Sequence, residues 1–143
     1  MEDILRYLEE IVEPTVKDFE EHPASRRHAF LACVTVFHGV DYLVYPKTSK
    51  RERLRGKFRG QSPDFAIVDD VSHAFRHVEA GKKPNLKSDN VISRPGGLST
   101  DGFSFFNVVK GRVVLSNDQS IGLLDTVKRA AAFLRKQTDV VQT

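Results

Sequence analysis

The chain has 143 residues, 40% of them hydrophobic and 29% charged, with one cysteine and a formal net charge of +3. That size fits one domain, 1–143, able to bury about two-thirds of the surface its unfolded form exposes. A lone Cys33 among Leu31, Ala32, Val34 and Val36 excludes an intrachain disulfide and reads as a small buried apolar group. The longest apolar stretch, 29–45, is broken by Thr35, His38 and Asp41, so no membrane span is expected. The acidic, interrupted first sixteen residues lack the form of a secretion signal, and a cytoplasmic location is expected.

Leu5, Leu8, Ile11 and Val12 recur at helical spacing and predict an amphipathic helix over 2–13, with Pro14 kinking it or opening a second piece through Val16 and Phe19. Ser25 is placed to cap a second helix over 26–45, whose nearly continuous apolar character suits the middle of a bundle. Residues 46–61 read as a basic loop punctuated by Gly56 and Gly60. Ser62-Pro63-Asp64 is a helix start, opening a third helix that runs to about Ala80, with Gly81 as its stop. A long polar loop, 82–102, follows. Residues 103–115 read as a hairpin turning at Lys110-Gly111. Asn117 or Asp118 then caps a last helix with Ile121, Leu124, Val127, Ala131 and Leu134 as its buried stripe. The fold expected is mainly α: a compact four- to five-helix bundle with a small β-hairpin before the C-terminal helix.

Charge is uneven along the chain. Residues 1–21 carry eight acids against Arg6 and Lys17, a net of −6, whereas 47–60 carry seven bases against Glu52, a net of +6. The basic set is Lys47, Lys50, Arg51, Arg53, Arg55, Lys57 and Arg59. It suits either attraction to the acidic segment, a solvated loop, or binding of nucleic acid or an acidic protein, with Phe58 offered for stacking.

A second constellation joins His38 and Asp41 on the second helix to Asp69, Asp70, His73 and His77 on the third. A His or Asp on so apolar a helix needs a partner, since burial without one costs roughly 1–3 kcal/mol. A polar seam is therefore expected, in which His38 and Asp41 approach some of Asp70, His73 and His77. Three chemistries suit it: satisfied structural pairing, a divalent metal held by His38, His73, His77 and Asp70, or acid–base catalysis by His38, Asp41, Asp70, His73 and His77. The paired-glutamate motif of di-iron bundles is absent.

The chain resembles a group of short bacterial proteins that share the pattern Arg27-His28-Ala29-Phe30-Leu31-Ala32-Cys33, His38-x-x-Asp41-Tyr42-Leu43, Ser62-Pro63-Asp64-Phe65 and His73-Ala74-Phe75-Arg76-His77. That resemblance covers most of the chain and implies no activity. In layout it is also similar to the HEPN group of helical domains, which implies association with nucleic acid. HEPN nucleases carry an Arg followed after four residues by His, and no Arg here has His at that offset, so no catalytic residue is carried over. Two functions are expected from the sequence: a homodimeric binding module whose basic segment takes nucleic acid or an acidic partner, or a small metal- or His/Asp-dependent hydrolase, nuclease-like, built on the seam.

Overall fold

The computed structural model describes residues 2–76, 106–107, 112–114 and 120–141. The mainly helical architecture is the one expected, with the helices packed around one core. His77, the loop 82–102 and the Lys110-Gly111 turn lie outside the described residues.

The first arm is one helical rod in three registers: α1 (Glu2–Tyr7), a π-helical segment (Leu8–Val12) and α2 (Glu13–Glu21). Pro14 explains the middle register. It has no N–H to give and its ring crowds the preceding turn. The widened π turn, closed by the Glu13 N–H on the Leu8 carbonyl, absorbs that fault without ending the helix. Ile4, Leu8, Val12, Val16 and Phe19 stay on the buried side throughout.

Helix α3 (Arg26–Val44) begins at Ser25, whose Oγ accepts from the His28 N–H at 3.2 Å. It packs against α1, α2 and the later helices, burying Ala29, Ala32, Cys33, Val36 and Val40. Burial pushes the Cys33 thiol far above its ordinary pKa, which keeps it un-ionised. Tyr7 is tied to this helix by its hydroxyl, which donates to the Thr35 carbonyl at 2.7 Å.

The segment 46–61 corrects the sequence reading. It is helical: a 3₁₀ turn (Thr48–Lys50) leads into α4 (Arg51–Gln61). Gly56 and Gly60 do not break it, because each costs only about 1 kcal/mol relative to alanine in a helix interior. Arg, Glu, Leu, Lys and Gln around them are good helix formers, and Leu54 and Phe58 stand four apart on the inward side. Phe58 is buried, edge-on to Phe65 at 5.6 Å and to Phe133 at 5.1 Å.

Ser62 starts α5 (Pro63–Arg76), its Oγ accepting from the Phe65 N–H at 3.0 Å. Among the described residues three short antiparallel strands follow, β1 (Phe106–Asn107), β2 (Arg112–Val114) and β3 (Ser120–Gly122), in the order β1-β2-β3. The first two pair as the expected hairpin, Asn107 opposite Arg112. The third was not foreseen: Ser120–Gly122 is extended, so the last helix, α6 (Leu123–Val141), starts beyond the caps expected at Asn117 or Asp118. Its fully buried stripe is Leu123, Val127, Ala130 and Leu134, with Ile121, Leu124 and Ala131 at its margin. At Gly39 an added Cβ would sit 2.7 Å from Leu134 Cδ1, so glycine permits the close approach of α3 and α6.

Among the described residues the acidic arm pairs with α6 and not with the basic segment. Lys128 Nζ donates to Glu20 at 2.6 Å and Arg135 Nε to Glu13 at 3.1 Å, while Arg129 reaches Asp64 on α5. Among the described residues no helix is long and apolar enough to cross a membrane.

Candidate anion-binding site on α4

A helical segment 51–61 changes what its cations do. At about 100° per residue, Arg51, Arg55 and Arg59 follow one another every fourth position on one side, and Lys50, Arg53 and Lys57 fall on another. The first side faces the bundle and is consumed there.

Arg55 Nε donates to Asp69 Oδ2 at 2.8 Å. Arg59 Nη1 donates to the same oxygen at 2.7 Å, and its fork closes on Asp70 through Nη1 to Oδ1 at 2.9 Å and Nη2 to Oδ2 at 3.2 Å. His73 Nδ1 lies 3.0 Å from the Asp69 carbonyl and 3.1 Å from Oδ1, an oxygen that is buried without a well-aligned hydrogen bond of its own. The Asp69 side chain has no exposed surface. Burial works against its charge, but the bonds from His73, Arg55 and Arg59 outweigh burial and hold its carboxyl below the ordinary range. Asp70 goes the other way. Its burial, with the like charge of Asp69 beside it, outweighs Arg59 and raises its pKa. Against the cost of burial, Asp69 and Glu52 raise Arg55, and Asp70 and Asp69 raise Arg59.

Near the end of α3, His38 Nδ1 meets Asp41 Oδ2 at 2.9 Å, and Arg51 Nε donates to Asp41 Oδ1 at 2.7 Å. Phe37 separates the two groups. Both imidazoles meet its ring at 5.4 Å, and the guanidinium carbons of Arg51 and Arg55 lie over it at 5.5 and 5.7 Å.

The seam therefore differs from the one expected. Among the described residues Asp41 takes His38 and Arg51, Asp70 takes Arg59, and no ion pair joins the two groups. The cause is the helicity of α4, which places arginines between the carboxylates of α3 and α5. Among the described residues no three His, Cys, Asp or Glu side chains are placed to hold a metal ion. His77, the fourth ligand considered, lies outside those residues.

The outward side of α4 carries a different surface. Lys47, Lys50, Arg53 and Lys57 are exposed and make no ion pair to a described residue. All four line one groove of about 770 Å³, whose apolar wall is Leu43, Val44, Pro46 and Leu54. Among the described residues no carboxylate lines it, and Glu52 is held by Arg55. Tyr45, 70% exposed, stands at its edge. It also lines a neighbouring recess of about 560 Å³ with Asp3, Asp41, Tyr42, Thr48 and Arg51.

Composition located this basic segment, but only helical phase sorts it into two sets. Phe58, the stacking group expected from sequence, is core, and Tyr45 faces outward at the edge of the groove. No protein family, curated protein or solved structure matches the chain.

Proposed function

We propose that the protein binds nucleic acid through the outward face of α4 and the turn that leads into it, with Lys47, Lys50, Arg53 and Lys57 on phosphates and Tyr45 available to an unpaired base. The observation that carries this reading is the segregation itself. Four cations with no carboxylate partner among the described residues share one groove, while Arg51, Arg55 and Arg59 of α4 are paired with Asp41, Asp69 and Asp70. A cationic surface of this kind neutralises phosphates and releases their counterions, and that gain is independent of sequence. An exposed tyrosine beside it favours single strands, because stacking on an aromatic is open only to unpaired bases.

The test is binding of a labelled random single strand, and of a duplex, across a range of salt concentrations. The logarithm of affinity should fall linearly with the logarithm of salt, with a slope on the order of −3 for four contacts on a single strand. The strand should bind more tightly than the duplex. Absence of binding at low salt defeats the reading in favour of an acidic protein partner, and binding without salt dependence defeats the assignment to these four cations.

A further inference from the structure

Independently of the nucleic-acid reading, we propose that the outward face of α3 joins a second copy of this chain, the two helices lying antiparallel about a two-fold axis.

Among the described residues the large hydrophobic side chains left exposed are Ile11, Leu31, Tyr42, Tyr45 and Val140, and all but Val140 gather on this side. The Tyr7 hydroxyl marks the level of Thr35 on the antiparallel arm, so Ile11, four residues on, stands level with Leu31, four residues back. Leu31, Thr35, His38 and Tyr42 follow at spacings of four, three and four, the seam spacing by which one helix packs on another. The core does not account for them, because α3 turns Ala29, Ala32, Cys33, Val36 and Val40 to the core on its other side. Its polar members suit a close contact: Thr35 Oγ1 donates to the Ala32 carbonyl at 3.0 Å, and His38 is held on Asp41. Tyr42 is fixed by stacking on Tyr7 at 4.1 Å, so it meets a partner already in place.

Charge identifies the partner. The N-terminal end of the stripe carries Arg26 and Arg27, both exposed, with no acid in that first turn and no ion pair to a described residue. Cations there also oppose the helix dipole. At the other end, Asp3 and Asp41 line the recess beside Tyr42 and Tyr45. Asp41 is held by His38 and Arg51, whereas Asp3 is exposed and makes no ion pair to a described residue. Arg27 and Tyr42 are about 22 Å apart along the helix, so Arg27 does not reach Asp3 within one chain. An antiparallel second copy brings each end onto the other, twice, which is the self-complementarity of a two-fold contact. Thr35 then meets His38 of the second copy near the axis, Leu31 meets its Tyr42, and Arg27 reaches its Asp3. A parallel pair would set like charges on each other at both ends.

The experiment is sedimentation velocity of the full chain from about 1 to about 100 µM, with thermal melts of each variant. Wild type should pass from 16.1 kDa to twice that mass. Its midpoint should be on the order of 10 µM, as suits a contact at the small end of the interface range. Leu31→Glu should stay monomeric with an unchanged melting midpoint. Arg27→Asp and Asp3→Arg should each weaken association at least about tenfold, and both together in one chain should restore it to within about threefold of wild type. Leu31, Arg27 and Asp3 are all exposed, so the fold does not depend on them. A 16.1 kDa species at every concentration overturns the proposal. A dimer that survives Leu31→Glu belongs to another face and overturns it too. Unchanged association in either single charge variant, or loss without recovery in the double, overturns the antiparallel pairing. A lowered melting midpoint for dilute Leu31→Glu assigns the face to another segment of the same chain, against a second copy.

Discussion

Asp69 is the residue on which the α4–α5 contact turns. Its carboxylate has no exposed surface and meets Arg55, Arg59 and His73. Removing one partner of such a set leaves charges buried without compensation, a loss of about 3–5 kcal/mol. Asp69→Asn should therefore lower stability by about 3 kcal/mol in chemical denaturation, and Asp70→Asn by clearly less, because burial already disfavours the Asp70 charge. The two also act oppositely with pH. Asp69 has a folded value below its unfolded one, so its contribution is complete above the ordinary carboxylate value near 4 and is lost as pH falls through the folded value. Asp70 is raised, so its contribution is best below the ordinary value and declines as pH rises through the folded one. Denaturation midpoints measured from about pH 6 down to about pH 3 should fall for wild type and flatten for Asp69→Asn. A steep acid limb retained in that variant would remove Asp69 from this role. Local chemistry at this scale was readable beforehand at Ser25 and Ser62, where a hydroxyl before a helical run caps it. The partners of Asp69 were not, because they come from a segment taken for a loop.

That segment is the element whose nature decides the rest. Two glycines among charged residues resemble loop composition, and the signal against a loop was the pair Leu54 and Phe58 with arginines at 51, 55 and 59. Spacing of four is visible in the sequence. What it is spaced for becomes visible only once the acids of α5 stand opposite. Gly56 tests the helix directly. Nothing lies within 4 Å of a Cβ built there, so Gly56→Ala keeps every contact and removes the backbone freedom of glycine. It should raise stability by about 0.5–1 kcal/mol, read as a shift in thermal midpoint, and an unchanged or lowered midpoint would argue against helix at this position. The C-terminal helix shows the same limit of pattern reading: Ile121 continues the apolar stripe in sequence, yet it lies on a strand paired with Val113.

At the scale of the whole molecule, the ion pairs fall into two sets, and the cations of the groove belong to neither. Glu20 and Glu13 of the acidic arm pair with Lys128 and Arg135 of α6, and Asp41, Asp69 and Asp70 of α3 and α5 pair with arginines of α4. Surface pairs of the first kind contribute little each, about 0–1 kcal/mol, so their role is to direct the arm and not to fasten it. Segmental charge, −6 at one end and +6 in the middle, anticipated an excess of positive potential but not its address. The helical phase of α4 gives that address, since the cations left over converge on one groove. The measurement that tests this division most directly is the salt dependence of single-strand binding for the triple variant Lys50→Gln, Arg53→Gln and Lys57→Gln beside wild type, with thermal melts of both. The slope of log affinity against log salt should lose about 2 in magnitude, roughly 0.7 for each cation removed, and the melting midpoint should stay where it is. An unchanged slope, or a fall in midpoint as large as that of Asp69→Asn, would contradict the account.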